Sequence, residues 1–362
     1  HYEIEIPQRP ITRRFDVAFG TCGDCGRSVH GRHELQGSDT VGAAAVCLGP
    51  RTHAAIALLN KGLGLSHGKI VGLLEALFDL VIDRSTSVRS MLRTAGRCEP
   101  AHAEIVTSVR GSPRNVVDET GWRIGGENAW LHVCVGTEAT AVEVAPSRAS
   151  DVLAGLIGWD WSGTLIHDGW AAYDRFTSAR HQQCVAHVLR RCADLLETAT
   201  RGAVRFPRDV KALLKRGLAV RDERDAGRRS RGEAAMEGFA LGRALARLVA
   251  PGKRHAGNEK LARHLERHIG EWFAFLDNEG LDNEGLDDEG LDATNWRAEQ
   301  AIRPSVVNRK VWGGNRTPRG ARAQSVLTSV ILTCRQRAAD VLDFFERTLR
   351  SPRPIPLPVI GR

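Results

Sequence analysis

Asn115-Val116-Val117-Asp118-Glu119-Thr120-Gly121-Trp122-Arg123-Ile124, closed by Gly125-Gly126, is the stretch whose reading decides the fold. Its β-branched and aromatic residues favour an extended chain, and the Gly-Gly pair supplies a turn, so it reads as the first arm of a hairpin. Trp130-Leu131-His132-Val133-Cys134-Val135 reads as the returning strand and Ala141-Val142-Glu143-Val144 as a third. A helix is expected over roughly 149–157. Gly163-Thr164-Leu165-Ile166-His167-Asp168-Gly169 then reads as a short apolar strand ending in an acid and a turn. A further short strand or turn near His181 to Cys184 precedes a helix through Leu196.

That order of elements predicts an α/β fold with a ribonuclease H-like catalytic domain, its first part at 111–196. Upstream, residues 54–95 turn helical. Ser66 is a plausible N-cap for a helix to Phe78, with Ile70, Leu73, Leu74 and Leu77 on one apolar stripe. A second helix starts at Asp83 to Ser85, with Val88, Met91 and Leu92 inward and Arg84, Arg89 and Arg93 outward. Region 51–110 is therefore either a helix-turn-helix that binds DNA or a plain helical hairpin packed on the core. The segment 1–50 is short of helical periodicity and carries Cys22-Gly23-Asp24-Cys25-Gly26, a zinc-ribbon-like turn in which two thiolates can hold one Zn²⁺. A closed site needs four ligands, and only His30, His33 and Cys47 lie near, so the turn is either an intact site or the remnant of one.

Downstream, 197–292 reads as a helical insertion that ends in an acidic linker. Leu276-Asp277-Asn278-Glu279-Gly280 recurs as 281–285 and 286–290, a period that fits neither helix nor strand. A flexible linker is the expected reading of this repeat, with a calcium site the sharper alternative. The core closes with a final helical part at 293–350: a helix from Asn295 to Asn308, then one amphipathic helix from Gln324 to Leu349. A Pro-rich tail follows at 351–362.

The chain has 362 residues and a formal charge of +8, enough length for two or three domains. The charge is unevenly spread. Residues 190–268 carry twenty basic and ten acidic side chains, and 297–337 carry nine basic residues against one acid, Glu299. Such stretches suit phosphate neutralisation, as well as a merely solvated helix face. No run approaches the roughly eighteen apolar residues of a membrane helix, so no membrane partner is expected. Residues His1 to Pro10 lack a signal-peptide pattern, and eight Cys at this length fit a reducing compartment, so a cytoplasmic, nucleoid-associated setting is expected. The lack of an initiator Met fits a fragment of a longer reading frame.

Three acids stand out. Asp118 lies on an apolar strand, Asp168 ends another, and Glu299 is isolated among bases. Taken singly, each has a bland reading as cap, turn or i,i+4 partner of Arg303. Carboxylates at the ends of neighbouring strands, joined by one from a helix, make the oxygen-rich cage that hard divalent cations prefer. Two ions about 3.5–4 Å apart can then activate a nucleophile and stabilise the leaving oxygen of a phosphodiester.

The blocks Val117 to Trp122, His167-Asp168-Gly169-Trp170-Ala171-Ala172-Tyr173 and Asn295-Trp296-Arg297-Ala298-Glu299-Gln300-Ala301-Ile302-Arg303-Pro304 resemble the three catalytic blocks of DDE transposases of the insertion sequence 66 family. The similarity continues through Arg309-Lys310 and Gly313-Gly314-Asn315-Arg316, and backward through Gly62-Leu63-Gly64-Leu65 to Cys22–Gly26. The resemblance implies that Asp118, Asp168 and Glu299 are catalytic and ligate two Mg²⁺ ions, for which Mn²⁺ can substitute. It chooses Asp118 over Glu119, which points to the opposite face of a strand. Cys184-Val185-Ala186-His187 resembles a Cys-x-x-His element after the second acid, either half a zinc site or a packing motif that organises the active site; packing is favoured. Cys22 and Cys25 resemble a zinc-finger segment.

The activity implied is metal-dependent cleavage at transposon ends and strand transfer into target DNA. The DNA contacts are expected from Arg303, Arg309, Lys310 and Arg316. Trp296 is a candidate for stacking on a base, with core packing the plainer reading. A homo-oligomer in a synaptic complex is implied, with accessory proteins of the same element as further partners. Two other readings use the same residues: a transposase-derived DNA-binding protein that no longer cuts, and a ribonuclease H-like nuclease.

Overall fold

The computed structural model describes residues 10–31, 33, 35–36, 47–277 and 291–360. Most of the acidic repeat therefore lies outside the described residues, and its linker and calcium readings are not addressed. The chain begins with a small antiparallel hairpin, β1 (Phe19–Thr21) and β2 (Ser28–His30). Four helices follow: α1 (Pro50–Ala57), which runs into a π-helical turn Leu58–Gly62, then α2 (His67–Phe78), α3 (Arg84–Arg97) and α4 (Glu99–Arg110). The caps are those the sequence predicts, since Ser66 accepts from the Lys69 amide and Asp83 from the Thr86 amide.

The decisive stretch forms β3 (Arg114–Ile124), which turns at Gly125 and Gly126, both at positive φ, into β4 (Glu127–Val135). β5 (Thr140–Ala145) pairs antiparallel with β4. After α5 (Ser150–Ile157), the chain adds β6 (Thr164–His167) parallel to β3 and β7 (Arg180–Gln183) parallel to β6. The result is a five-stranded mixed sheet ordered β5-β4-β3-β6-β7. Helices α6 (Val185–Thr198), α7 (Arg205–Asp225), α8 (Arg231–Val249), α9 (Ala256–Arg267), α10 (Trp296–Trp312), α11 (Pro318–Gln336) and α12 (Val341–Arg350) complete the chain.

Strand alternation divides the apolar residues between two cores. Val117, Cys134, Ala141 and Leu165 join Ile56, Ile105, Leu327 and Phe345 on one face. Val116, Val133, Val142 and Ile166 join Val185, Leu214, Leu265 and Ile302 on the other. Helices α1 to α5 with α11 and α12 thus cover one face. Helices α7 to α9, with α6 and α10, cover the other. The region 51–110 shares its core with the sheet, and its outward Arg84, Arg89 and Arg93 are exposed.

One expectation needs correction. The helix read as continuous over 324–349 is two. Asp340 caps α12 by accepting from the Leu342 and Asp343 amides, and Ala338 adopts φ 54° between the two. The Pro-rich tail is extended and folds back, with the Leu357 amide donating to Glu104 Oε2 at 3.1 Å.

Helix α11 seals one sheet edge. The amides of Val144, Val142 and Thr140 on β5 donate to Ser325 Oγ at 2.9 Å, Ser329 Oγ at 2.8 Å and Thr333 Oγ1 at 3.1 Å. Four helical residues advance about 6 Å and two strand residues about 6.7 Å, so hydroxyls spaced by four meet amides spaced by two. At the other edge, the Gln183 amide donates to the Glu271 carbonyl and the Phe275 amide to Gln182 Oε1, so the segment 271–277 covers β7.

Candidate active site

The parallel register pairs Val116 of β3 with Ile166 of β6. Counting on by two from that pair reaches Asp118 on β3 and Asp168, the first residue after β6. Asp118 shares the parity of Val116 and Trp122, which belong to the core facing α6 and α10. Glu299 enters from that side, in the first turn of α10. The three acids are electrostatically coupled. Burial first, then the neighbouring Glu119, Asp168 and Glu299 carboxylates, push the Asp118 carboxyl up to about 7, against a backbone hydrogen bond from the Glu119 amide.

His187, on the first turn of α6, places Nε2 3.7 Å from Glu299 Oε1. Burial lowers its pKa, opposed by the Asp168 and Glu299 carboxylates. Cys184, the N-cap of α6, is buried and accepts from the Asn295 amide at 3.4 Å. Burial raises its thiol pKa. Cys184 therefore joins the start of α10 to the start of α6, which is the packing role favoured for it. Asn295 is wholly buried, and neither of its side-chain polar atoms has a hydrogen-bond partner among the described residues; the same holds for His187 Nδ1. Together with the Asp118, Asp168 and Glu299 carboxylates, these groups offer the oxygen-rich donor chemistry that suits hard divalent cations.

Among the described residues, the one trio of ligand atoms lying within 4.8 Å of one another is a different one: His167, His181 and Glu271. Its hydrogen bonds have a direction. His181 Nε2 lies 3.0 Å from the Phe176 carbonyl and must donate to it, which leaves Nδ1 to accept from His167 Nε2 at 2.8 Å. His167 Nδ1 in turn accepts from the Gly169 amide at 3.1 Å. With His167 Nε2 protonated, the pair is a satisfied relay that holds the turn after Asp168, and in this arrangement His167 has no lone pair free for an ion. The three acids do not form such a tight trio. Two divalent cations would not require one, because two ions would share the three carboxylates between them.

Glu119 points the other way, and sequence reading left it without a role. Its side chain is 2% exposed; Oε1 accepts from Arg148 Nε at 2.9 Å and Nη2 at 2.6 Å, and Oε2 accepts the Tyr173 hydroxyl. The two neighbours differ: among the described residues Asp118 is half-buried without an ion-pair partner, and Glu119 is paired with Arg148. Alternation along the strand signals that difference, but nothing in the sequence names Arg148.

The expected DNA-contact residues fall into two groups. Arg303 and Lys310 are exposed on α10, on one helical stripe with Trp296 and Val307, and Arg316 is exposed beyond it. Arg309 is half-buried and donates to the Gly121 carbonyl and, at 3.4 Å, to Thr120 Oγ1, which ties α10 to β3. Beyond α10, Asn315 accepts from Trp122 Nε1, and its backbone exchanges hydrogen bonds with Arg123 and Gly125.

Far from these, Cys22 and Cys25 sit at the tip of the β1–β2 hairpin, where the Gly26 amide donates to the Cys22 carbonyl. Amides of Cys25 and Asp24 and the Cys25 side chain lower the Cys22 thiol pKa, which favours a metal-binding thiolate. His30 and His33 are described, but no third ligand atom joins both sulfurs within 4.8 Å among the described residues. No helix of the described residues is long and apolar enough to cross a membrane.

The family model described as Transposase IS66 family matches residues 45–323. The match takes in the three acids, Cys184, His187 and the basic face of α10, and leaves Cys22 and Cys25 outside. No curated protein matches the chain.

Proposed function

The chain belongs to the Transposase IS66 family, and on that premise we propose that it cuts DNA at transposon ends and joins the freed 3′-hydroxyls to target DNA. DNA is the partner that membership implies. What supports the finer reading is the arrangement of Asp118 on β3, Asp168 directly after the adjacent β6 and Glu299 in the first turn of α10, which packs against β3. The strand order, an antiparallel meander followed by two parallel strands, supports the ribonuclease H-like reading.

Asp118, Asp168 and Glu299 would hold two divalent cations, Mg²⁺ or in its place Mn²⁺, which when bound supply Lewis-acid stabilisation to the attacking and leaving oxygens. The chain's own residues set the frame. Register fixes the two aspartates, the relay from His181 through His167 to Gly169 holds the second, and His187 orients Glu299. Arg303, Lys310 and Arg316 contact DNA phosphates in this reading, with Arg309 bracing α10 against β3. Helix α3 supplies further DNA contacts through its outward Arg84, Arg89 and Arg93. Cys22 and Cys25 supply half of a Zn²⁺ site outside the catalytic region. Two copies pair the two DNA ends.

A strand-transfer assay with Mg²⁺ or Mn²⁺, on DNA from both flanks of the encoding gene, tests this. Joined products that vanish in Asp118→Asn are expected. DNA binding without products, in both proteins, would replace this reading with a DNA-binding protein that does not cut. Cutting of an RNA–DNA hybrid in preference to flank DNA would replace it with a ribonuclease.

A further inference from the structure

We propose that Trp170 is a stacking platform for one unpaired nucleobase beside Asp168, a proposal that rests on the DNA reading above and adds a contact to it. Trp170 follows the second acid by two residues, yet it is 37% exposed. Its amide donates to Asp168 Oδ1 at 2.9 Å, so the indole and the carboxylate belong to one turn. That position calls for an explanation. An apolar side chain held at the surface beside a catalytic acid either covers something or receives something.

One side of the indole is built up from below. The Arg148 guanidinium lies 3.8 Å from the Trp170 ring centroid and 4.7 Å from that of Trp130, so the cation is held between two indoles. Arg148 is fixed in turn by its two hydrogen bonds to Glu119, whose other oxygen takes the Tyr173 hydroxyl. A chain of contacts therefore runs from a buried carboxylate, next in sequence to Asp118, out to the exposed ring. Such a ring is ordered before any ligand arrives, so little side-chain entropy is lost on binding.

The chemistry of the surroundings selects the occupant. An acidic peptide would meet Asp118, Asp168 and Glu299, and no anion would find Arg148 unpaired. A nucleobase is flat, uncharged and attached to the phosphodiester that the acids are placed to attack. Stacking on an indole accepts any base, because every base has a π-face. A base inside a duplex offers only its edges, so the occupant has left its stack. The base next to the scissile phosphate is the one within reach.

Fluorescence anisotropy in EDTA, with a labelled thymidine oligonucleotide and with one containing 2-aminopurine, tests the platform on the whole chain without any need for cutting. Trp170→Ala is expected to bind the single strand about 10-fold more weakly, Trp170→Phe to recover most of that loss, and wild type to quench the 2-aminopurine emission. On a fully paired duplex, wild type and Trp170→Ala are expected to match. Equal single-strand affinity in wild type and Trp170→Ala, unquenched emission, or failure of wild type to bind the single strand would each overturn the proposal. Circular dichroism checks folding, and if the Ala variant unfolds, the Phe variant's quenching alone decides. A protein that passes this test and fails strand transfer keeps the platform and loses the cutting role.

Discussion

The indole N–H of Trp122 donates to Asn315 Oδ1 at 2.7 Å, which pins the loop after α10 to the strand that carries Asp118. Glu299 is thus tethered at both ends of its helix: Asn295 bonds to Cys184 at the start, and Asn315 to β3 beyond the end.

Gly314 is the tightest point of that tether. It holds φ 110°, and a Cβ there would lie 2.5 Å from the Arg123 carbonyl oxygen, which is backbone and cannot swing aside. Gly314→Ala should destabilise the protein by about 2 kcal/mol or more, read as a lower urea midpoint. An unchanged midpoint would show that the loop can leave β3 at no cost.

The hydroxyl ladder of α11 gives a second test. Ser329→Ala adds no bulk and leaves the Val142 amide buried without an acceptor, at an expected cost of about 1–3 kcal/mol. The denaturant midpoint should fall with no change in slope. Thr333→Val, which keeps the side-chain size and removes the acceptor of the Thr140 amide, should show a similar loss, since a missing acceptor and not a clash is the cause.

These two positions mark the reach of the sequence. The strands around Asp118, the Gly-Gly turn and the caps at Ser66 and Asp83 were legible because each is a local signal: alternation, positive φ or a side-chain oxygen at the right offset. The three acids read as an ordered set through the resemblance, and the parallel register sets the strand of Asp118 beside the one that ends just before Asp168. The partners of Glu119 were not legible, because Arg148 and Tyr173 come from distant segments that carry no mark of their destination. Ser325, Ser329 and Thr333 read as ordinary polar positions on a helix. Only the docking of α11 along β5 turns their spacing of four into a ladder. The false fusion of α11 with α12 has a similar cause: both helices bury apolar residues on the same core, so the apolar pattern runs on across the break at Ala338.

Cation binding should stabilise the folded chain through the acids. Mg²⁺ or Mn²⁺ at about 100 times its dissociation constant would add about 2.7 kcal/mol, visible as a raised Tm. Asp118→Asn should lose most of that response. It should also raise the Tm of the cation-free protein, because it removes a buried carboxylate that faces other acids. A wild-type Tm that ignores both ions would remove the cation centre from the proposal.

Lys61 gives the pH dependence its sign. It is buried in the π-helical turn with its ammonium 4.8 Å from the Trp312 ring, and burial lowers its pKa to about 7 from an ordinary 10.5. Between about pH 7 and 10 the unfolded chain therefore holds more protons at this site than the folded one, and stability from Lys61 rises with pH across that window. Below pH 7 the penalty of a buried ammonium is complete. Lys61→Met should be more stable than wild type at pH 6, and the advantage should shrink toward pH 10. A difference independent of pH would show that the lysine reaches water and titrates alike in the folded and unfolded chain.

The sealed sheet has a consequence for how copies of this chain can meet. Backbone amides of β5 are spoken for by α11, and β7 is overlaid by residues 271–277. Neither border can recruit an extended segment from another molecule, so growth by strand addition, productive or pathological, is closed off at both ends. Any pairing of two copies around this sheet then falls to helix faces, loops and shared DNA. Bridging by a nucleic acid is dissolved by salt and rebuilt on its removal, which would leave the assembled state under the control of the substrate instead of the sheet.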